Sequence, residues 1–333
     1  MDCEQLELNP RIRAALRRAD LRTVQDILCS SQDLHTLGLS RSDVQLLLRA
    51  AAQAYRPQCQ ITALALRGEQ SSLRLSTGCV VLNELLRGGL PVGRVTELSG
   101  ESGAGKTQLA LQFCLSVQYP VQHGGLDSGA VFISTEDSFP SRRLQQLIRE
   151  QPNLRSDVPK SLIDSIEFSN NIYIEHAADL DSLQVCLTRR VPLLLARGKA
   201  RLLVVDSVAA LFRSEFQPSD WLERNKQLIR FSSKLHQLGR EYNTPVLCVN
   251  QVTETHTHTH THLPLSSSVS PALGLAWANQ VMVRLMMHRL QGTVSQGDQS
   301  SALRRLEVVF APHLARGDRN AAIWREGVRG VQT

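Results

Sequence analysis

From Leu75 onward, short apolar runs alternate with stretches of helical periodicity. The runs are rich in β-branched residues and read RVTELSG, AVFISTE, IYIEHA, RLLVVDSV and PVLCVNQV. The helical stretches between them are residues 106–118, 140–150, 181–196 and 220–240. Apolar strands that alternate with helices are typical of a parallel sheet with helices on both faces. The pattern therefore predicts an α/β core over residues 75–333.

Three more apolar runs follow one another without a helical stretch between them. They are QVMVRLMMHRL, LRRLEVVFAPH and AAIWREGVRG. Strands that lie close together in sequence are joined by short turns, which favour antiparallel pairing. Antiparallel strands are therefore expected to extend the parallel sheet near the C-terminus.

Residues 1–55 carry the signals of a small helical domain. Asn9 is placed to cap a first helix, with Pro10 at its first position. Ser40 and Asp43 have the spacing of a capping box for a later helix. A unit of this size has little core of its own, so we expect it to dock on another surface or to present one.

Residues 56–74 lack a long helical period and are interpreted as a linker. Within it the segment QITALAL is short, apolar and β-prone. This segment either forms a strand in the chain's own sheet or is captured by the sheet edge of a neighbouring subunit. Composition does not separate these two alternatives.

The composition is that of a folded protein with room for one large and one small domain: 333 residues, of which 42% are hydrophobic. Aromatic residues make up 5%, which argues against a surface that stacks many bases. No apolar run reaches about 18 residues, and the acidic N-terminus resembles neither a secretory signal nor a transit peptide. Seven scattered cysteines without a C-x-x-C pair fit a reducing compartment, the cytosol or the nucleus.

The charge is modestly basic, with a net charge of +6 and a pI of about 9.1. Five of the 37 basic residues are lysines, which leaves 32 arginines. Arginine offers a planar fork suited to phosphate and carboxylate groups. This excess permits nucleic-acid binding, although a protein that is basic without a nucleic-acid partner would look the same.

The strongest motif is GESGAGKT, which lies between a predicted strand and a predicted helix. It fits the phosphate-binding pattern G-x-x-x-x-G-K-[ST], in which glycines let backbone N–H groups surround phosphate oxygens at a helix N-terminus. The lysine reaches the β- and γ-phosphates, and the threonine hydroxyl ligates Mg²⁺. The predicted ATP-binding residues here are Gly100, Glu101, Ser102, Gly103, Ala104, Gly105, Lys106 and Thr107.

Asp206 ends the apolar run RLLVVD about 100 residues after this motif. An acid at the carboxyl end of such a strand holds Mg²⁺, usually through water. Together, Thr107 and Asp206 are the candidate Mg²⁺ ligands.

Two other strand ends carry polar side chains. Glu136, at the end of AVFISTE, could polarise the water that attacks the γ-phosphate; with Asp137 it could equally cap the following helix. Gln251, at the end of PVLCVNQ, could sense the γ-phosphate or simply terminate a strand.

These motifs, in this order, resemble the ATPase core of the RecA-like recombinases of eukaryotes and their paralogues. The resemblance rests on STGCVVLNELLRGGLPVGRVTELSGESGAGKTQLALQFC, FISTEDSFPSRRLQQL, RLLVVDSVAALFRSEF, PVLCVNQVTE and SPALGLAWANQVMVRL. The segments ADLRTVQDIL and GLSRSDVQLLLRAA are similar to the small N-terminal domain of that family. The resemblance covers nearly the whole chain and implies a RecA-like P-loop fold.

The resemblance also implies roles for single residues. Glu136 matches the catalytic glutamate, Arg143 an arginine against the adenine, and Gln251 the γ-phosphate sensor. FRSEFQPSDW occupies the first DNA-contacting loop, where Arg213 is the expected phosphate contact, and residues 253–270 occupy the second. QITALAL lies where the family has its subunit-joining strand, and FAPHLARGD lies where a neighbour's ATP is capped. The candidate interface residues are Ile61, Ala63, Leu64 and Pro312.

Departures from the family pattern refine the functional expectation. The linker lacks the Phe-x-x-Ala anchor of the filament-forming member, and the second loop holds the Thr/His run THTHTHTH. A heterodimer with another RecA-like paralogue is therefore expected rather than long homopolymers.

The implied function is that of an ATPase that binds single-stranded and branched DNA and helps the recombinase to load. An assembly module that binds ATP with little hydrolysis is the alternative. A nuclear location is implied, with the cytoplasm and the mitochondrion as further places.

The Thr/His run THTHTHTH spans Thr255 to His262. Alternate residues of an extended chain face one side, so adventitious Zn²⁺ or Ni²⁺ binding is conceivable. A dedicated metal site needs ligands on rigid elements, so the run is interpreted as a repeat in a tolerant loop.

Overall fold

The computed structural model describes residues 3, 6, 8–19, 21–29, 37–55, 73–136, 138–255 and 268–331. It forms two compact units, residues 1–71 and 72–333. Within the described residues, no helix is both long enough and apolar enough to cross a membrane.

The described part of the N-terminal unit is helical. Its helices are α1 (Pro10–Arg18), α2 (Val24–Cys29) and α3 (Arg41–Tyr55). Both predicted caps are present: the Asn9 side chain accepts from the Arg11 N–H, and Ser40 and Asp43 exchange hydrogen bonds with each other's backbone N–H groups. A small core holds the helices together through side chains such as Ile12, Leu16, Ile27 and Leu47.

The core unit begins with elements that surround the phosphate-loop motif. They are β1 (Arg74–Leu75), α4 (Val80–Leu85), β2 (Leu90–Pro91), β3 (Val95–Gly100), α5 (Lys106–Ser116), β4 (Gly129–Ser134), α6 (Ser141–Arg149), α7 (Gln151–Leu154) and α8 (Lys160–Ser165). The middle of the chain adds β5 (Ile172–His176), α9 (Leu180–Val185), a π-helical turn (Cys186–Arg190), α10 (Val191–Ala196), β6 (Ala200–Asp206), α11 (Val208–Ser214) and α12 (Trp221–Glu241).

The last third is mostly strand. It contains β7 (Val246–Asn250), β8 (Val252–Thr255), β9 (Ser268–Pro271), α13 (Gly274–Ala278), β10 (Val283–Gln296), β11 (Gln299–Phe310), β12 (Gly317–Ile323) and β13 (Val328–Gly330). The antiparallel pair β8–β9 was not predicted, because it lies inside the region assigned to the second loop.

A nine-stranded sheet organises the core unit, in the order β13-β12-β11-β10-β3-β7-β6-β4-β5. The six strands from β10 to β5 in this order are mutually parallel, and β11, β12 and β13 add antiparallel strands. The predicted α/β core with an antiparallel extension is therefore confirmed. β10 joins the two parts of the sheet, since it pairs antiparallel with β11 and in parallel with β3.

Burial explains why the strands read as continuous apolar runs. Along β4, Ala130 and Phe132 pack into one core with α5, whereas Val131 and Ile133 pack into a second core with α12. The sheet is thus covered on both faces, as the runs predicted.

The predicted helical stretch 181–196 is helical throughout, with a π-helical turn between α9 and α10. Pro192 lies at the start of α10, and proline has no N–H to donate to the preceding turn. The π-helical turn therefore follows from a residue type that helical periodicity alone does not register.

The C-terminal strand β13 is fastened to α5 by a glutamine. Gln112 is buried, and its amide exchanges hydrogen bonds with the backbone of Val328: the Val328 N–H donates at 2.7 Å, and the Gln112 Nε2 donates at 3.1 Å. The same Nε2 also donates to the Thr77 carbonyl. The helix after the phosphate-binding motif is thereby tied to both ends of the core unit.

A buried charge joins β3 to its neighbours. The Glu97 side chain is fully buried and pairs with Arg284 of β10. It also accepts from Asn250 Nδ2 at 2.6 Å and from Trp277 Nε1 at 3.0 Å. These contacts connect the strand before the phosphate loop to β7, the strand that Gln251 follows.

We expect Arg284→Met to lower the free energy of unfolding by about 3–5 kcal/mol, because it leaves the Glu97 charge buried without its partner. Urea unfolding of the full chain measures this. Arg190→Met is the control, since Arg190 pairs with Glu175 while 59% of its side chain is exposed. Arg284→Met should therefore lose much more unfolding free energy than Arg190→Met, and equal losses would contradict this account of Glu97.

Candidate nucleotide site

The phosphate loop, residues 100–107, connects β3 to α5. Gly100 and Gly105 have φ of 153° and 107°. A Cβ on Gly100 would lie 2.3 Å from the Met287 carbonyl oxygen, and one on Gly105 would lie 2.6 Å from Ile323 Cδ1. Close approach of β10 and β12 therefore requires glycine at both positions.

Lys106 is the cation of this loop. Its Nζ donates to the carbonyl oxygens of Gly100 at 2.7 Å and Glu101 at 2.8 Å. Burial lowers the pKa of Lys106, although the carboxylates of Asp206, Glu136 and Glu101 act in the opposite direction. The ammonium group lies at the mouth of the loop, where phosphate oxygens would bind.

Thr107 and Asp206 are brought together as predicted. The Thr107 hydroxyl donates to Asp206 Oδ2 at 2.7 Å. Burial raises the pKa of Asp206, and the hydrogen bond from Thr107 lowers it. A hydroxyl and a carboxylate are hard oxygen donors, which fit Mg²⁺. Among the described residues, no three His, Cys, Asp or Glu side chains cluster as a metal site, so Mg²⁺ here would also need water or nucleotide oxygens.

Glu136 and Gln251 also meet at the strand ends. Gln251 Nε2 donates to Glu136 Oε1 at 2.6 Å, and the Ser207 hydroxyl donates to the same oxygen. On its other side, Gln251 Oε1 accepts from Arg213 Nη1 at 2.7 Å. A continuous chain of hydrogen bonds therefore runs from α11 to the carboxylate beside the phosphate loop. Asp137 lies outside the described residues.

Arg143 projects from α6 towards the turn between β12 and β13. Its guanidinium donates to Gln108 and Gln146 side chains, each at 2.6 Å, and to the carbonyls of Trp324 at 2.7 Å and Arg325 at 3.0 Å. Burial lowers its pKa. These bonds fix the guanidinium plane, which suits the predicted stacking on an adenine.

These side chains line one cavity of about 1140 Å³. Ala104 is the exception among the predicted loop residues, since its side chain is fully buried in the core and its N–H donates to the Glu101 carbonyl. Several lining residues were missed because they lie on strands, or in the turns between them, without a recognisable motif. They are Asp298, Gln299, Ser300, Ser301, Ala302, Arg304, Ile323, Trp324 and Arg325. The alternation of side chains along β11 could have shown which of its residues share a face of the sheet. It could not have shown which face lies beside the phosphate loop.

The predicted interface residues do not join this cavity. Pro312 is exposed in the turn after β11, outside the lining. Ile61, Ala63 and Leu64, and the His256–His262 run, lie outside the described residues. Their roles stay predictions.

A glycine-rich loop between a parallel strand and a helix, with an acid at the end of a neighbouring strand, defines a P-loop nucleotide-binding protein of the α/β class. A family model described as Rad51 matches residues 68–331, and one described as XRCC3/RpoA-like, helix-hairpin-helix domain matches residues 3–55. The chain belongs to the Rad51 family, which confirms the resemblance inferred from its motifs.

Three individual proteins show which members of the family the chain resembles. The chain is 49% identical to the DNA repair protein XRCC3 of Mus musculus, over 99% of this chain and 98% of the mouse protein. It is 50% identical to the DNA repair protein XRCC3 of Bos taurus, with the same coverage. It is 36% identical to the DNA repair protein XRCC3 homolog of Arabidopsis thaliana, over 80% of this chain and 96% of that protein.

Proposed function

We propose that this chain is an ATP-dependent DNA-binding factor of DNA repair by homologous recombination. The observation that carries the proposal is the chain of hydrogen bonds from Arg213 through Gln251 to Glu136. It joins the segment expected to contact DNA to the carboxylate expected to activate water. The relatives described above, which are named DNA repair proteins, support the same conclusion.

In the proposed mechanism, the phosphate loop and Lys106 bind the ATP phosphates. Mg²⁺, held by Thr107 and Asp206, would neutralise charge on the phosphate oxygens. Glu136 would accept a proton from the attacking water, and Gln251 would report the γ-phosphate to α11. A DNA phosphate bound by Arg213 would compete with Gln251 for the guanidinium, so DNA binding would change the contacts of Glu136.

The expected partners are single-stranded and branched DNA, another RecA-like paralogue as a heterodimer partner, and the recombinase itself. The exposed turn at Pro312 supports an interface at which one subunit approaches the nucleotide of the next. The proposed role is to assist recombinase loading and the processing of branched intermediates. The nucleus is the proposed principal location.

Arg213→Ala should weaken binding to single-stranded DNA and reduce the slope of log affinity against log salt by about 0.7, the value for one lost phosphate contact. Stimulation of ATP hydrolysis by the same DNA should also decline. Fluorescence anisotropy at several salt concentrations and a phosphate-release assay measure the two effects.

Arg240→Ala serves as the control. Arg240 is exposed in the last turn of α12, and its substitution removes the same charge as Arg213→Ala. An unchanged salt slope in Arg213→Ala would show that Arg213 is not a phosphate contact. The broader proposal would be overturned if the wild-type protein with its partner bound no DNA.

Two hydrogen bonds to Glu136 favour a second function. Glu136 Oε1 already accepts hydrogen bonds from both Gln251 and Ser207, which restrain the carboxylate that would activate water. The chain could thus bind ATP chiefly to stabilise an assembly, with little hydrolysis. Variants of Lys106 separate these two functions.

A further inference from the structure

Two arginines face each other on neighbouring strands beside the phosphate loop. Arg289 of β10 and Arg304 of β11 are paired across the antiparallel ladder. Like charges directly opposite each other destabilise a sheet. Among the described residues, neither guanidinium forms an ion pair with a carboxylate. The pairing therefore places two positive charges side by side, which is an electrostatic cost to the sheet.

Both side chains approach the same residue of the phosphate loop. Arg304 Nη2 lies 3.4 Å from the Gly103 carbonyl oxygen, and Arg289 Nη1 would lie 4.0 Å from a Cβ on Gly103. The backbone N–H of Arg289 donates to Glu101 Oε1 at 3.2 Å. The ladder is irregular between Arg289 and Thr293, and such irregularities redirect side chains near functional sites.

The Arg304 guanidinium is held in place and incompletely satisfied. Its Nη1 donates to the Ser301 hydroxyl at 3.1 Å and to the Ala302 carbonyl at 2.7 Å. Its Nε is buried and has no hydrogen-bond partner among the described residues. Burial, and then the charge of Arg289, lower the pKa of Arg304. Hydrogen bonds thus hold the guanidinium at the cavity wall, and its unpaired Nε lowers the stability of the protein when no ligand is bound.

We infer that Arg304, supported by the charge of Arg289, is a further binding residue for the polyphosphate of the nucleotide. Arg304 lines the cavity, and an anion beside Gly103 would offset the repulsion between the two guanidiniums. Like charges paired at a cavity wall break a general rule of strand pairing, and such exceptions are expected at binding sites. This inference rests on the proposed nucleotide site and adds a second cation to the cavity that Lys106 lines.

The test is calorimetric titration of the full chain and its Arg304→Gln variant with ATP, ADP and adenosine. Affinity for ATP should fall about tenfold or more, since a hydrogen bond between charged groups is lost. Affinity for ADP should fall less, and affinity for adenosine should not change. Arg289→Gln should act in the same direction with a smaller effect.

Thermal unfolding without nucleotide distinguishes binding from a structural role. Because Arg304→Gln removes a like-charge repulsion, its Tm should equal or exceed that of the wild type. Arg304→Lys keeps the charge without the planar fork and should bind ATP with intermediate affinity. Arg319→Gln, on β12 outside the cavity, is the control and should bind ATP as the wild type does.

Wild-type ATP affinity in Arg304→Gln would overturn the inference while leaving the nucleotide site intact. Equal losses for ATP and adenosine, or a lower Tm without nucleotide, would overturn it as well, since either outcome indicates a structural role. If the wild-type protein bound no ATP, the proposed nucleotide site would fail, and this inference would fail with it.

Discussion

Glu136→Gln is expected to slow ATP hydrolysis by a factor of about 10²–10⁴ while ATP binding persists, because the amide cannot accept a proton from water. The substitution keeps the size of the side chain and leaves an oxygen that can still accept from Gln251 and Ser207. Turnover by phosphate release and affinity by calorimetry would separate the two quantities.

Glu167→Gln is the matched control for this variant. Glu167 accepts from Asn170 at the surface and does not line the cavity, so hydrolysis should be unchanged. Turnover of Glu136→Gln at the wild-type rate would exclude Glu136 as the general base. Loss of ATP binding in the same variant would instead place Glu136 in nucleotide binding.

Lys106→Ala is expected to weaken ATP binding by about 100-fold, which corresponds to about 2.7 kcal/mol and is typical for the loss of one or two charge-assisted hydrogen bonds. The Lys106 Nζ now donates to two loop carbonyls, so phosphate oxygens must replace those contacts or add to them. Affinity measured by calorimetry gives the size of the effect.

The control for Lys106 is Lys199→Ala, which removes an exposed lysine before β6. Lys106→Arg keeps the charge but changes its geometry, so it should bind ATP better than Lys106→Ala. Restoration of repair by both Lys106 variants, in cells that lack the protein, would favour the assembly function over hydrolysis.

The sequence predicted those parts of the site that local geometry determines. The motif from Gly100 to Thr107 needs only a strand, a tight loop and a helix, and these signals lie within one short stretch. Asp206, Glu136 and Gln251 each end an apolar run, and the carboxyl ends of parallel strands meet at one edge of a sheet. Their proximity therefore followed from the fold class, and the described contacts agree with it.

The other parts of the site depend on the pairing of strands that lie far apart in sequence, and hydrophobic periodicity does not specify that pairing. Arg304 comes to the phosphate loop only because β11 lies two strands from β3, with β10 between them. Trp324 and Arg325 contribute backbone carbonyls to Arg143, and a carbonyl has no residue-type signal. The parallel pairing of β10 likewise depends on where the chain re-enters the sheet after α13.

The contact between Gln112 and Val328 has a consequence for biosynthesis, since 216 residues separate the two in sequence. A ribosome releases the phosphate loop long before β12 and the turn that follows it. These later segments supply Ile323 against Gly105 and the carbonyl acceptors of Arg143. Nascent or prematurely terminated chains thus carry the complete phosphate-binding motif without the packing that shapes it. Because a ligand stabilises only the state that binds it, ATP would protect finished chains and leave incomplete ones to proteolysis.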